Sequence, residues 1–267
     1  MHAMLNIAVR AARAAGKVLV KAYENPQLLE VDSKSENDFV TNADKAAEEA
    51  IIATIKKSYP RHSILAEESG LDQGDDADYQ WVIDPLDGTT NFMRGIPHFC
   101  VSIALTVKGV PQHAVVYDPI RDDLFTASKG SGSQLNGFRT RVASKKSIEG
   151  TLLATGFPFR MKEILNDYQK VFNAYFMEAA DIRRAGSAAL DLAYVACGRV
   201  DGYFEAGLKP WDTMAGELLV KESGGMVTDF AGGMNQQASG NIVAANQKVI
   251  QQMLIVMRKN LPATLQK

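Results

Sequence analysis

The chain has 267 residues, of which 46% are hydrophobic and 22% are charged. This balance is typical of a folded, water-soluble protein and excludes a disordered chain, a collagen or a coiled coil. Its 29 Lys and Arg residues against 31 Asp and Glu residues give a net charge of −2, so no bulk basic field exists to hold nucleic acid.

The first part of the chain predicts two helices followed by two short strands. Apolar residues recur at helical spacing over 5–22 and again over 44–58. The segment 31–38 between these helices is polar, and no element is predicted there. Compact apolar runs over 63–66 and 80–83 predict strands, and acidic residues follow each of them.

Strands and helices alternate in blocks through the rest of the chain. Alternating apolar residues and turn signals predict an antiparallel meander over 99–107, 113–117 and 124–127. Further patterns predict helices over 187–197, 213–222 and 247–261, with strands over 226–230 and 241–245. Such blocks favour an α+β fold with layered sheets. We predict a single unit over 1–267, with a candidate subdomain boundary near Gly150.

Cysteine, histidine and apolar patterns exclude three further classes. Cys100 and Cys197 lie far apart and outside any CxxC spacing, which excludes a disulfide framework and favours a reducing compartment. The four histidines do not cluster, so any metal would be held by oxygen. No apolar run approaches the roughly 20 residues of a membrane helix. We therefore expect a cytoplasmic protein that does not span a membrane.

The segment that begins at Asp84 carries the strongest chemical signal. Asp84 and Asp87 lie three residues apart where a hydrophobic strand ends. Pro85 fixes its own φ and biases Asp84 toward extended backbone, which makes the turn stiff. Residues 88–90, Gly-Thr-Thr, offer backbone N–H groups to an anion if a helix starts there. This combination predicts a hard cation beside a phosphate.

Two more carboxylates are candidate ligands of the same cation. Glu67 comes just after a short strand, and Asp212 lies at a predicted helix start. If both converge on Asp84 and Asp87, two charges about 4 Å apart cost roughly 4 kcal/mol at an effective dielectric near 20. Mg²⁺ prefers such oxygen ligands and would offset the repulsion. The alternative is that each acid caps a helix or is a solvated loop charge.

Three motifs together resemble the inositol monophosphatase family of Mg²⁺-dependent, lithium-sensitive phosphatases, in particular its bacterial subgroup. They are DPLDGTTNF at 84–92, AEES at 66–69 and WDTMAGELLVKESGG at 211–225. The resemblance extends through 39–44, 135–137, 183–189 and 202–205, in the same order along the chain. It implies a layered αβαβα sandwich and a homodimer.

The resemblance also assigns metal ligands. Glu67, Asp84 and the backbone carbonyl of Leu86 match the first metal site of the family. Asp84, Asp87 and Asp212 match the second, so that Asp84 bridges two ions. Two or three Mg²⁺ ions are implied, and a bridging carboxylate suits two-metal catalysis.

The same resemblance assigns the remaining catalytic and substrate roles. Asp44 and Thr89 match the pair that orients and deprotonates the attacking water, and Glu67 completes the predicted catalytic set; an N-cap is the alternative for Asp44. Lys34 matches a family lysine, although its spacing from Asp44 is one residue shorter than in the animal enzymes. The predicted substrate-binding residues are Leu86, Asp87, Gly88, Thr89, Arg183, Gly186, Ser187, Ala188, Glu205 and Asp212. For Arg183 and the adjacent Arg184, a surface or subunit ion pair is the alternative.

Three functions are compatible with these residues. The first is Mg²⁺-dependent hydrolysis of inositol monophosphate, or of a similar polyol or sugar phosphate. The second is binding to RNA polymerase and Nus factors in ribosomal RNA antitermination, which the bacterial subgroup implies and which does not exclude catalysis. The third is hydrolysis of another ester, such as fructose 1,6-bisphosphate or a nucleotide 3′-phosphate, because in-line displacement depends on phosphate and metal more than on the leaving group.

Overall fold

The structure, a computed structural model, describes residues 2–35, 38–159 and 161–265, and within 33–38 it describes backbone only. Its helices are α1 (Ala3–Tyr23), α2 (Asn42–Ser58), α3 (Thr89–Met93), α4 (Leu165–Phe176), α5 (Ala188–Ala196), α6 (Pro210–Glu222), α7 (Gln236–Ser239) and α8 (Gln247–Asn260). Its strands are β1 (Val31–Ser35), β2 (Asp38–Thr41), β3 (His62–Ala66), β4 (Gly70–Asp72), β5 (Asp76–Asp87), β6 (Cys100–Val107), β7 (Val110–Asp118), β8 (Asp123–Ser128), β9 (Gly132–Leu135), β10 (Phe138–Arg139), β11 (Leu152–Thr155), β12 (Asp181–Arg183), β13 (Gly202–Glu205), β14 (Met226–Thr228) and β15 (Ile242–Ala245).

Most strands belong to two sheets. The large sheet has eight strands in the order β10-β9-β8-β7-β6-β5-β3-β4, and only its β3–β5 pair is parallel among the described strands. The small sheet has five strands in the order β12-β11-β13-β15-β14. The predicted meander is β6, β7 and β8. Strands β1 and β2 form a separate antiparallel hairpin.

Five layers pack on one another through three hydrophobic cores, and the middle core covers both sides of the central helical layer. The first core joins α1 and α2 to one face of the large sheet. The second lies between the two sheets and is filled by α5 and α6. The third packs α4 and α8 against the far face of the small sheet. The predicted α+β fold of alternating layers, αβαβα, is confirmed.

The middle core bears on the predicted single unit. It contains Val82 and Val116 from the large sheet together with Ala154 and Tyr203 from the small sheet. Residues from both sides of Gly150 therefore share one core, and the single unit over 1–267 stays a prediction. The candidate boundary near Gly150 lies between β10 and β11, where the chain passes from one sheet to the other.

Several elements differ from the sequence patterns. The polar segment 31–38 contains β1 and the start of β2, and its described side chains, Val31 and Asp32, are exposed, so they give no apolar alternation. The strand predicted over 80–83 starts earlier, at Asp76. The sequence pattern misses this start because Asp76 and Asp78 are acidic and Ala77 and Asp78 are exposed. None of the described helices is long and apolar enough to cross a bilayer.

The sheet also contains a histidine whose titration affects stability. His113 on β7 is buried, its ring stacks on His2 with centroids 4.4 Å apart, and its Nδ1 lies 2.7 Å from the Ser128 hydroxyl. Burial, together with the charge of His2, lowers the pKa of His113 from 6.5 to about 4. The unfolded chain then binds the proton more readily than the folded protein.

We predict that His113→Gln weakens the acid dependence of stability. The contribution of His113 is fully present above pH 6.5 and is lost as the pH falls toward about 4. Denaturant unfolding across this range should show a pH slope smaller by up to about one proton than in wild type. His2→Gln, at an exposed position, is the matched control and should retain most of the slope. Equal slopes in wild type and His113→Gln would contradict the prediction.

Candidate active site

A polar cleft of about 160 Å³ lies where strand ends and helix starts meet. The ends of β3, β5 and β13 and the first turns of α3, α5 and α6 supply residues to it. The cleft brings together these predicted site residues: Glu67, Asp84, Leu86, Asp87, Gly88, Thr89, Gly186, Ser187, Ala188, Glu205 and Asp212. It is also lined by Phe39, Thr90, Gly156, Phe159, Arg184 and Leu208.

A β-bulge explains how two carboxylates three residues apart reach the same cleft. In a regular strand, residues at that spacing face opposite sides of the sheet. Here Asp84 pairs with Ser102 and Asp87 with Cys100, so the stretch around Pro85 contains one extra residue. Pro85 has no N–H to donate to the ladder, which favours an irregularity at this point. The Leu86 N–H instead donates to Asp84 Oδ1 at 2.9 Å.

The turn after the bulge requires glycine. Gly88 has φ 102°, in the left-handed region, and a Cβ there would lie 3.0 Å from the His98 carbonyl oxygen. The turn opens the short helix α3 at Thr89. The first N–H groups of a helix have no carbonyl partner within it, and Gly88 and Thr89 both line the cleft. This is the helix start that the sequence motif predicts.

The two carboxylate oxygens of Asp44 contact different partners, Thr41 and Thr89. It lies fully buried in the first turn of α2, where Thr41 is the N-cap residue. Oδ2 accepts from the Thr41 N–H at 2.9 Å and from the Thr41 hydroxyl at 2.5 Å, while Oδ1 lies 3.3 Å from the Thr89 hydroxyl. The alternative of an N-cap is wrong in position, because Thr41 is the N-cap and Asp44 is the N3 residue of the capping box.

Asp212 has the same place in α6. Its Oδ2 accepts from the Lys209 N–H at 2.7 Å, so it also helps to cap the helix. The residue is buried and lines the cleft as well. The two readings of the sequence, a cap or a site carboxylate, are therefore compatible at this position.

Burial and electrostatic repulsion both raise the pKa values of carboxylates at the centre of the cleft. The pKa of Asp84 is raised well above its usual value, first by burial and then by the charges of Glu67, Asp87 and Asp212. Burial raises the pKa of Asp87 to about 6, although hydrogen bonds partly oppose this shift. Two of them come from the Ser187 hydroxyl and the Ala189 N–H, each at 2.7 Å from Asp87 Oδ2.

The donor set fits Mg²⁺ in its chemistry. Among the described ranges, no three His, Cys, Asp or Glu side chains already stand as a group that could hold an ion. Mg²⁺ commonly keeps several waters and takes only one or two carboxylates together with substrate phosphate, so a preformed cage is not required. A divalent cation would offset the repulsion that raises the Asp84 pKa.

Glu205 lines the cleft, and a second buried acid interacts with it electrostatically. Glu205 Oε2 accepts from the Tyr203 hydroxyl at 2.5 Å. Asp191 on α5 is also buried, and burial, followed by the charges of Glu205 and Asp87, raises its pKa well above the usual value. Asp191 cannot be singled out from the sequence, because an acid within an apolar helical pattern gives no local signal of a site.

The adjacent arginines Arg183 and Arg184 differ in their position relative to the cleft. Both Arg183 and Arg184 are exposed, but only Arg184 lines the cleft. Arg183, the predicted substrate-binding residue, is the last residue of β12 and does not line the cleft, whereas its neighbour Arg184 does. The Lys34 side chain lies outside the described part of the structure.

The chain belongs to the inositol monophosphatase family, whose sequence model matches residues 1–263. It is similar to the protein named Nus factor SuhB of Escherichia coli K12, with 59% identity over 267 residues and the full length of both chains. Among solved structures, extragenic suppressor protein suhB from Bartonella henselae is 42% identical with a TM-score of 0.95, covering 97% of this chain and 100% of its own. Inositol monophosphatase from Anabaena is 41% identical with a TM-score of 0.87, covering 98% and 97%.

We predict that Gly156→Ala destabilises the cleft by overpacking. A Cβ at Gly156 would overlap the Glu205 carboxylate, and such overpacking costs about 1–3 kcal/mol. The double variant Gly156→Ala with Glu205→Ala relieves the overlap. Denaturant unfolding should give a loss in the double variant that is smaller than the sum of the single losses. Additive losses would show that the two positions do not collide.

Proposed function

We propose that the protein hydrolyses a phosphate monoester of inositol, or of a similar polyol or sugar, to the alcohol and phosphate. The observation that carries this proposal is buried Asp84 among Glu67, Asp87 and Asp212, in a cleft beside the Asp44–Thr89 pair. Membership of the inositol monophosphatase family supports it.

The family is generally Mg²⁺-dependent, and we propose two or three Mg²⁺ ions for this chain. Glu67, Asp84 and the Leu86 carbonyl would hold one, and Asp84, Asp87 and Asp212 would hold another. When bound, Mg²⁺ supplies Lewis-acid chemistry: it activates water and neutralises charge on the phosphate and the leaving oxygen.

Thr89 and Asp44 form a proton relay in this proposal. The single hydroxyl hydrogen of Thr89 faces two acceptors, Asp44 Oδ1 at 3.3 Å and the Leu86 carbonyl at 3.1 Å. When it points to Asp44, the hydroxyl oxygen is able to accept from an attacking water. Asp44 is fully buried and held by Thr41, so the relay keeps a fixed orientation toward the cleft.

Substrate groups match the rest of the cleft. The N–H groups of Gly88 and Thr89 at the start of α3 suit phosphate oxygens. Glu205 has a carboxylate on the cleft wall that suits polyol hydroxyls. Arg184 also lines the cleft, and its positive charge suits the phosphate. Gly186, Ser187 and Ala188, at the start of α5, complete the proposed diol end.

A covalent phospho-enzyme through cysteine is disfavoured. Cys100 is buried, and burial raises the pKa of its thiol well above the usual value, with Asp87 adding to the shift. The thiol therefore stays protonated, whereas nucleophilic attack requires the thiolate. Glu67, Asp84, Asp87 and Asp212 would hold metal and Glu205 would bind the polyol, so water is the proposed nucleophile.

We predict that Thr89→Ala lowers kcat by about 10²–10⁴-fold, the usual contribution of a positioned acid–base group. Thr89→Ser keeps the hydroxyl and should recover most of the loss. Thr90→Ala, at the neighbouring cleft position, is the matched control. Release of phosphate from myo-inositol 1-phosphate over a range of Mg²⁺ concentrations measures both kcat and the Mg²⁺ requirement. Full activity in Thr89→Ala would contradict the relay.

A second function is favoured by the comparison. The full-length identity of 59% to a protein named Nus factor SuhB supports binding to RNA polymerase and Nus factors in ribosomal RNA antitermination. We propose this role in addition to catalysis, together with the homodimer that the family resemblance implies. With a net charge of −2, recognition through protein surfaces is favoured over direct RNA binding.

We predict that the two roles separate in Asp87→Asn. This variant weakens the cation site and should lose phosphate release, while its outer surfaces stay intact. Ribosomal RNA synthesis should persist in cells that contain only this variant, provided that its thermal stability matches wild type. A loss of ribosomal RNA synthesis in a stable Asp87→Asn protein would show that the two roles depend on the same chemistry.

A further inference from the structure

A second buried carboxylate on α2 contacts the loop that carries Glu67. Glu48 is only 4% exposed. Its Oε2 accepts from the Glu68 N–H and its Oε1 from the Ser69 N–H, both at 2.9 Å. Each carboxylate oxygen thus receives one backbone donor from the residues that directly follow Glu67. Hydrogen bonds to an ionised acceptor are stronger than neutral ones.

The loop that Glu48 holds is a tight hairpin connection. Ala66 on β3 pairs with Gly70 on β4, so residues 67–69 form a three-residue loop. Glu67 is the first of these residues, and its own N–H donates to the Ile83 carbonyl at 3.1 Å, just before Asp84. Glu67 is therefore tied to β5 on one side and, through its two successors, to α2 on the other.

Helix α2 also carries Asp44, one member of the Asp44–Thr89 pair. Asp44 and Glu48 are four residues apart, so they lie on the same face of the helix one turn from each other. Asp44 contacts Thr89 on α3, whereas Glu48 contacts the loop of Glu67. One rigid turn of helix thereby connects two parts of the cleft that are distant in sequence.

We propose that Glu48 is a positioning residue that sets the affinity of the cleft for its divalent cation. Its carboxylate fixes Glu67 relative to the Asp44–Thr89 pair, without itself lining the cleft. This inference rests on the proposed function, because it assigns Glu67 to the cation. Partners that orient a ligand commonly change metal affinity by about 10–100-fold when removed.

The experiment compares Glu48→Gln with wild type and with Glu49→Gln, an exposed neighbour on the same helix. Isothermal titration calorimetry measures Mg²⁺ binding directly, and phosphate release gives the half-saturating Mg²⁺ concentration and kcat. Glu48→Gln should weaken Mg²⁺ binding by about tenfold or more. Its kcat at saturating Mg²⁺ should return close to wild type, while Glu49→Gln leaves both quantities unchanged.

The outcomes separate this inference from the proposed function. If wild type binds Mg²⁺ and releases phosphate, and Glu48→Gln shows unchanged Mg²⁺ affinity, Glu48 has no positioning role. If Glu48→Gln only lowers the unfolding temperature and leaves the Mg²⁺ dependence intact, the role is structural and the inference is overturned. If wild type itself neither binds Mg²⁺ nor releases phosphate, the proposed function fails instead.

A measurement on the wild-type chain keeps the inference testable if Glu48→Gln does not fold. Amide hydrogen exchange should be slow at Glu68 and Ser69 because both N–H groups are bonded to a buried carboxylate. The exposed turn at Gly109 provides the reference for an unprotected amide. Amide exchange at Glu68 and Ser69 as fast as at Gly109 would contradict these hydrogen bonds to Glu48 and would overturn the inference.

Discussion

The repulsion between carboxylates in one buried cleft is the constraint on which this structure depends. Asp84 is surrounded by Glu67, Asp87 and Asp212, and its pKa is raised by burial and by all three charges. Such an arrangement costs free energy in a folded protein unless protons or cations offset it. The chain gathers these groups from three separate segments, and we propose that a bound cation offsets their repulsion and supports the proposed chemistry.

The structure makes its site carboxylates serve the fold as well. Asp44 and Asp212 each occupy the third position of a helix and accept from the backbone of the N-cap residue. In Asp44 the other oxygen faces Thr89, so capping and orientation are divided between two atoms of one side chain. This sharing explains why a cap and a functional residue are hard to distinguish from sequence, since the same local pattern satisfies both.

Local signals allowed much of the fold and site to be predicted from the sequence. The DPLDGTT motif, the meander and the main helices rely on patterns within a few residues, and the structure brings the motif carboxylates into one cleft. The bulge at Pro85, the β1–β2 hairpin and the hydrogen bonds that Glu48 accepts from Glu68 and Ser69 were not predicted. They depend on strand register and on contacts across the fold, such as that between Glu48 and Glu68, which are 20 positions apart, and no local pattern signals such a contact.

The most direct test of the central claim is a crystal structure of the protein grown with Mn²⁺, with anomalous scattering used to locate the ions. The account predicts anomalous peaks in the cleft within coordination distance of Asp84 and at least two of Glu67, Asp87 and Asp212. Peaks elsewhere, or a cleft without peaks at saturating Mn²⁺, would contradict it.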